Sequence, residues 1–286
     1  MNDVTVIVPY RHGTQPDRSR YPDNTLFVDD EGKGKKYALH KGIQTIATEW
    51  VWLTDDDVLL PDISFLTDLP STVDLVILPL QMSPGNGSLM ERLQQAEYKA
   101  LQALTLWTAD WGHAVLCSGA NLLVRRKTWL ACFDDLHPDI PSGDDMFLLE
   151  SIKRQGKGVR AMHGAAVTAL IEPAPTLKQL LRQRMRWAGK APRYTDRDIV
   201  WCGAVVLAAN LLQLFCPLLL VLKFPIDLWF IRRYESDYRT THEGKETTNG
   251  RTSIGTALLL ELLYPFYLLT CLAGGLWHSR QAFARF

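Results

Sequence analysis

The chain has 286 residues, room for one α/β domain of ordinary size and something smaller. Lysine plus arginine balances aspartate plus glutamate at 31 each, so no global basic field argues for nucleic acid. The five cysteines, Cys117, Cys132, Cys202, Cys216 and Cys271, show no CxxC pairing and no metal-ligand spacing, and an odd count suits a reducing compartment better than a disulfide framework.

In chain order, Val4-Thr5-Val6-Ile7-Val8 is a β-branched run ended by Pro9 and reads as a buried strand. No signal peptide precedes it, so the first domain is expected to begin in the cytosol. Residues 11–34 are polar, with a short apolar patch at Leu26-Phe27-Val28. Lys35 to Thr48 has helical spacing, with Ala38, Leu39, Ile43, Ile46 and Ala47 on one side. Trp50–Leu53 reads as a strand running into Thr54-Asp55-Asp56-Asp57, and Val73–Leu80 as a third strand. Ser88 to about Leu106 reads as a helix, with Ser88 as N-cap and Glu91 three residues on. Asn121–Arg125 is strand-like, and Asp144–Arg154 and Thr176–Trp187 read as helices. Strands alternating with helices imply an α/β architecture with a mainly parallel sheet.

Apolar residues make up 47% of the chain and pile up after residue 198. Residues 199–222 carry no charge between Ile199 and Leu222, and 254–277 carry only Glu261; both are long enough to cross a bilayer. A basic flank precedes them: Lys178, Arg182, Arg184, Arg186, Lys190, Arg193 and Arg197. Positive charge stays inside, so the α/β domain is expected to be cytoplasmic, on a bacterial inner membrane. The loop between the spans carries Arg232, Arg233, Arg239, Lys245 and Arg251, too many for a comfortable outside loop; Phe224–Ile231 is expected to lie in the interface.

Three constellations carry chemistry. Asp55, Asp56 and Asp57 follow a strand, where α/β sheets place their ligands. In an extended segment Asp55 and Asp57 would point the same way and share one hard cation, Mg²⁺ or Mn²⁺; the plain alternative is a solvated turn. Ser142-Gly143-Asp144-Asp145 opens a helix, either as a cap favouring the helix dipole or as the seat of a general base. Gln183, Arg186 and Trp187 share one face of a basic amphipathic helix. Amide, guanidinium and indole suit a pyrophosphate beside a sugar; the alternative is a juxtamembrane helix with its bases on anionic lipid, a reading that applies above all to Arg182 and Arg184.

In order and spacing, a strand ending in DxD, an acidic pair, QxxRW and then membrane spans resemble the membrane-bound branch of the family-2 glycosyltransferases, which includes cellulose and hyaluronan synthases and many bacterial single-transfer enzymes. Lys35-Lys36-Tyr37-Ala38-Leu39 is similar to the family's Lys-x-x-Ala-Leu segment, and Ser118-Gly119-Ala120-Asn121 to its Gly-x-Asn segment. The resemblance implies a GT-A fold over residues 1–190, a membrane region over 191–286, and inverting transfer from a nucleoside-diphosphate sugar to a lipid-linked or glycan acceptor. It makes Asp145 the base and Asp55 and Asp57 the metal ligands. Donor and acceptor contacts fall to Pro9, Asp30, Lys36, Asp56, Gly119, Asn121, Asp144, Gln183, Arg186 and Trp187. The N-terminal part departs from the pattern: only about 25 residues separate Pro9 from Lys35, and at least one helix–strand unit is missing. That shortened half also fits a non-catalytic membrane scaffold that keeps the fold, and partner membrane proteins belong with either reading. A nucleotidyl or phosphoryl transferase on a similar sheet is the third class, and QxxRW speaks against it.

Overall fold

The computed structural model describes residues 4–61, 69, 71–137, 140, 143–239 and 251–283. The chain divides into two compact units, one built mainly from Met1–Gln81 and Leu104–Ile171, the other mainly from Met82–Ala103, Glu172–Ser236 and Glu246–Phe286.

The first unit is organised by a six-stranded sheet. Its elements are β1 (Val4–Tyr10), β2 (Thr25–Asp29), α1 (Lys35–Thr45), β3 (Trp50–Leu53), β4 (Val73–Ile77), β5 (Leu80–Met82), the end of α2 (Leu89–Asp110), β6 (Leu122–Arg125), α3 (Arg126–Cys132), α4 (Asp144–Arg154), β7 (Gly158–Ala161) and β8 (Ala169–Ile171). Strand order is β2-β1-β3-β6-β4-β7, while β5 and β8 form a separate ribbon. β1 runs parallel to β2 and β3, and β4 to β7; β6 alone runs antiparallel, between β3 and β4. Every residue of β3 and β6 is buried, as expected of interior strands covered on both faces. Trp50, Trp52, Trp129 and Phe147 are among the largest fully buried side chains.

The apolar patch of residues 26–28 is a true strand. β2 pairs with β1 in the register Pro9↔Val28 and Tyr10↔Asp29. Residues 11–24 make the parallel crossover with only one 3-10 turn, Arg18–Arg20, in place of a helix. Aromatic packing compensates: Tyr21 is buried edge-on to Phe27, with ring centroids 5.5 Å apart. The predicted strand over 73–80 is two strands, because Pro79 has no N–H to continue a ladder. Strands β7 and β8 and helix α3 are additions that the sequence pattern did not mark.

The second unit is helical: α5 (Leu177–Ala188), α6 (Arg197–Phe215), α7 (Leu218–Arg239) and α8 (Ile254–Phe283), with the start of α2. Thr176 caps α5 by accepting from Gln179 N–H, and Asp196 caps α6 by accepting from Ile199 N–H. The apolar stretch 199–222 is not one helix. α6 ends at Phe215, the N–H of Cys216 closes its last turn on Leu212, and Pro217 leads into α7. Residues 224–231, expected at the interface, lie within α7. Arg232, read as a loop charge, donates to Glu235 and to the Thr252 carbonyl, both at 2.7 Å. Lys245 lies outside the described residues.

Among the described residues, two helices are long and apolar enough to cross a membrane, Arg197–Phe215 and Ile254–Trp277. Their apolar side chains are largely uncovered, Trp201, Phe215, Phe266 and Trp277 among them, which sets them apart from core helices of a water-soluble fold. α5 packs closely on α8 through glycines. A Cβ at Gly275 would stand 2.6 Å from the Met185 carbonyl oxygen, and one at Gly274 would meet the Met185 side chain at the same distance.

Candidate active site

The carboxyl ends of the parallel strands β2, β1 and β3 share one edge of the sheet, where α/β folds bind ligands. Asp55 lies just beyond β3. The chain does not stay extended there: Val58 N–H donates to the Asp55 carbonyl, folding Asp56 and Asp57 into a turn. The alternation that would aim Asp55 and Asp57 at one point therefore fails. Tyr21 braces the turn, its hydroxyl donating 2.9 Å to the Asp55 carbonyl. Burial pushes the Tyr21 phenol up to about 12, with the three aspartates adding to it against Arg20, so it stays a donor.

Asp55 meets a cation from its own chain. Lys35, first residue of α1, places Nζ 2.6 Å from Asp55 Oδ1 and 3.4 Å from Asp144 Oδ2. Burial opposes the ammonium charge, but Asp144 and Asp55 overcome it and hold Lys35 well above the ordinary lysine range. Burial raises Asp55 and Asp56 above ordinary carboxylates; Lys35 pulls Asp55 back, and neighbouring carboxylates push up.

Gly143, with φ of +88°, starts α4 in a left-handed conformation that glycine adopts without strain and delivers Asp144 and Asp145 in the first turn. Asp145 Oδ2 accepts from Gly119 N–H at 3.3 Å, and Oδ1 from its neighbour Met146 N–H at 2.7 Å. Gly119 is where the elements meet. A Cβ there would lie 3.0 Å from Asp144 Oδ2, 3.2 Å from Lys35 Nζ and 3.7 Å from Asp145 Cβ. Lys35, Asp55, Gly119, Asp144 and Asp145 thus form one cluster from four separate segments.

Other expected residues fall elsewhere. Lys36 is buried and donates to the carbonyls of Leu136 and His137, which ties down the end of the 3-10 turn Phe133–Leu136; the lysine that meets Asp55 is Lys35. Helical phase explains this: Lys36 lies on the face of Leu39 and Ile43, which point into the core. Asn121 is fully buried. It accepts from the Trp52 indole (2.8 Å) and spends both amide N–H donors on the carbonyls of Pro79 (2.7 Å) and Val167 (3.1 Å), so it ties the sheet together. Pro9 is buried within β1. Asp30 follows β2 and accepts from the N–H groups of His12 and Gly32, while Asp29 holds the His12 ring. Ser142 lies outside the described residues.

In the second unit, Gln183 is partly buried, and Arg186 and Trp187 are exposed on α5. Arg184 corrects the lipid-facing expectation: it is buried in a bidentate ion pair with Glu97 of α2. Among the described residues, no three His, Cys, Asp or Glu side chains form a ready metal cage. The donor set nevertheless suits a hard cation. Asp55 and Asp57 offer carboxylate oxygens at the open strand end, and Mg²⁺ or Mn²⁺ binds through one or two carboxylates plus substrate phosphates.

A family model described as glycosyltransferase like family 2 matches residues 5–190. The chain belongs to that family, and its fold is of the GT-A type. Among solved structures it is similar to the mannosyltransferase of Pyrobaculum calidifontis in complex with GDP-Man and Mn²⁺: 17% identity over 96% of this chain and 87% of that chain, with a TM-score of 0.53. It is also similar to glucosyl-3-phosphoglycerate synthase of Mycobacterium tuberculosis in complex with Mn²⁺, UDP-Glc and phosphoglyceric acid, at 15% identity, 68% and 82% coverage and a TM-score of 0.40. No curated protein matches it in sequence.

Proposed function

We propose that this chain is an inverting, metal-dependent glycosyltransferase of the membrane-bound type, moving a sugar from a nucleoside-diphosphate sugar to a membrane-associated glycan or lipid acceptor on the cytoplasmic side of a bacterial inner membrane. The observation that carries the reading is the cluster of Lys35, Asp55, Gly119, Asp144 and Asp145, in a chain of the glycosyltransferase family. The similar mannosyltransferase is complexed with GDP-Man and Mn²⁺, which supports the choice of donor class and metal.

In this reading the acceptor hydroxyl oxygen attacks the anomeric carbon as the bond to the diphosphate breaks, and the hydroxyl proton passes to Asp145. The backbone N–H groups of Gly119 and Met146 each donate to one Asp145 oxygen and hold the carboxylate still for its part as base. Asp55 and Asp57 would hold the divalent cation, which supplies charge stabilisation for the leaving diphosphate. Lys35 supplies a further fixed positive charge beside it. Gln183, Arg186 and Trp187 take the diphosphate and the acceptor sugar. α6 and α8 anchor the chain where a lipid-borne acceptor would be delivered.

The test is donor turnover by the purified full chain in detergent, with UDP-, GDP- and dTDP-sugars and with Mn²⁺, Mg²⁺ or chelator. Release of nucleoside diphosphate that needs metal and is lost in Asp145→Asn is the expected result. Release of pyrophosphate would point to nucleotidyl transfer. Absence of both turnover and metal-dependent nucleotide binding would leave a non-catalytic scaffold.

A further inference from the structure

Within the segment Gln183–Trp187, the most constrained side chain is one the motif treats as a spacer. Arg184 is 5% exposed. Its Nη2 donates 2.8 Å to Glu97 Oε2 and its Nε 3.3 Å to Glu97 Oε1, a two-pronged pair with an equally buried carboxylate. Its Nη1 donates 2.9 Å to Gln183 Oε1. Its Cζ lies 4.2 Å from the centroid of the Trp187 ring. One planar cation thus touches both neighbours that the transfer reading assigns to substrate. Burying an ion pair rarely adds stability over an apolar pair of the same shape, so stability alone is a weak reason for it here.

We propose that Arg184, held by Glu97, is a positioning residue for sugar transfer. Gln183 has two faces, an acceptor oxygen and a donor NH₂. With its oxygen engaged by Arg184, the amide is locked against a flip and its NH₂ is the face left for an anionic or hydroxyl group. The guanidinium lying over the Trp187 ring, 37% exposed, likewise restrains that ring as a platform for a sugar. Arg184 itself does not touch substrate. The assignment rests on Gln183 and Trp187 being substrate contacts.

The experiment is a kinetic double-mutant cycle on the full chain in detergent: wild type, Arg184→Lys, Gln183→Ala and both together, with thermal melting of each. Lysine keeps a positive charge for Glu97 but lacks the planar fork and the stacking face. The expected result is a melting temperature close to wild type with kcat about tenfold lower, and a clearly smaller further loss when Arg184→Lys is added to Gln183→Ala, the part that runs through Trp187. Independent, multiplying losses, or losses that follow the melting temperature alone, would overturn the assignment while leaving transfer intact. A wild-type protein that moves no sugar would overturn the transfer reading and this assignment with it.

Discussion

The two units handle charge in opposite ways. In the first, Lys35 faces Asp55 and Asp144, and Asp56, Asp57 and Asp145 crowd nearby, so negative charge is in surplus at an open strand end. In the second, two buried carboxylates each have a cation: Glu97 has Arg184, and Glu235 has Lys99 and Arg232. A surplus of carboxylates costs folding free energy and makes sense where a cation and a phosphate are to be received. A matched buried pair does the reverse: it fixes geometry and binds nothing further.

The largest expected effect tests the surplus side. Asp145→Asn keeps the shape of the site and removes the carboxylate proposed as base, so turnover should fall by about 10²- to 10⁴-fold with melting unchanged. An active variant would move the base elsewhere in the cluster. The matched side is tested by Arg184→Met, which strands the buried Glu97 carboxylate and should destabilise the fold by about 3–5 kcal/mol; Arg184→Met with Glu97→Leu should recover most of it. Asn121→Leu sits between these cases. It leaves the Trp52 indole and the Pro79 and Val167 carbonyls without their partner, and a loss of about 3 kcal/mol is expected in melting or denaturant titration. A donor-binding role for Asn121 would instead show as a raised KM with normal stability.

The smallest effect is a pH dependence. Burial raises the Glu235 carboxyl, but the hydrogen bond and charge of Lys99 and the Thr252 N–H outweigh it and hold the group below its ordinary range. A depressed carboxylate stabilises the fold at pH values above its unfolded pKa, and the contribution is lost as pH falls through the folded value. Melting followed from about pH 7 down to about pH 3 should therefore fall more steeply in wild type than in Glu235→Gln. Equal slopes would mean the pair contributes no linkage.

Much of the site was legible from short-range pattern. The helix at Asp144–Arg154 begins and ends where glycine, acidic pair and apolar spacing put it, and the run Trp50–Leu53 is a buried strand. Errors arose where a long-range contact outweighed local pattern. Lys36 reads as a substrate contact and Arg184 as a lipid-facing cation until the Leu136 and His137 carbonyls and the Glu97 carboxylate are brought to them from 87 to 101 residues away along the chain. Asn121 looks like a ligand contact until the sheet closes around it.

The sequence by itself determined the alternation of strands and helices, the order of acidic and QxxRW segments and the two apolar stretches, because these depend on periodicity, capping and composition over a few turns. Tertiary structure decided which lysine meets Asp55 and that Arg184 lies inside, because both outcomes depend on desolvation and on a partner distant in sequence, and neither is written in the local pattern.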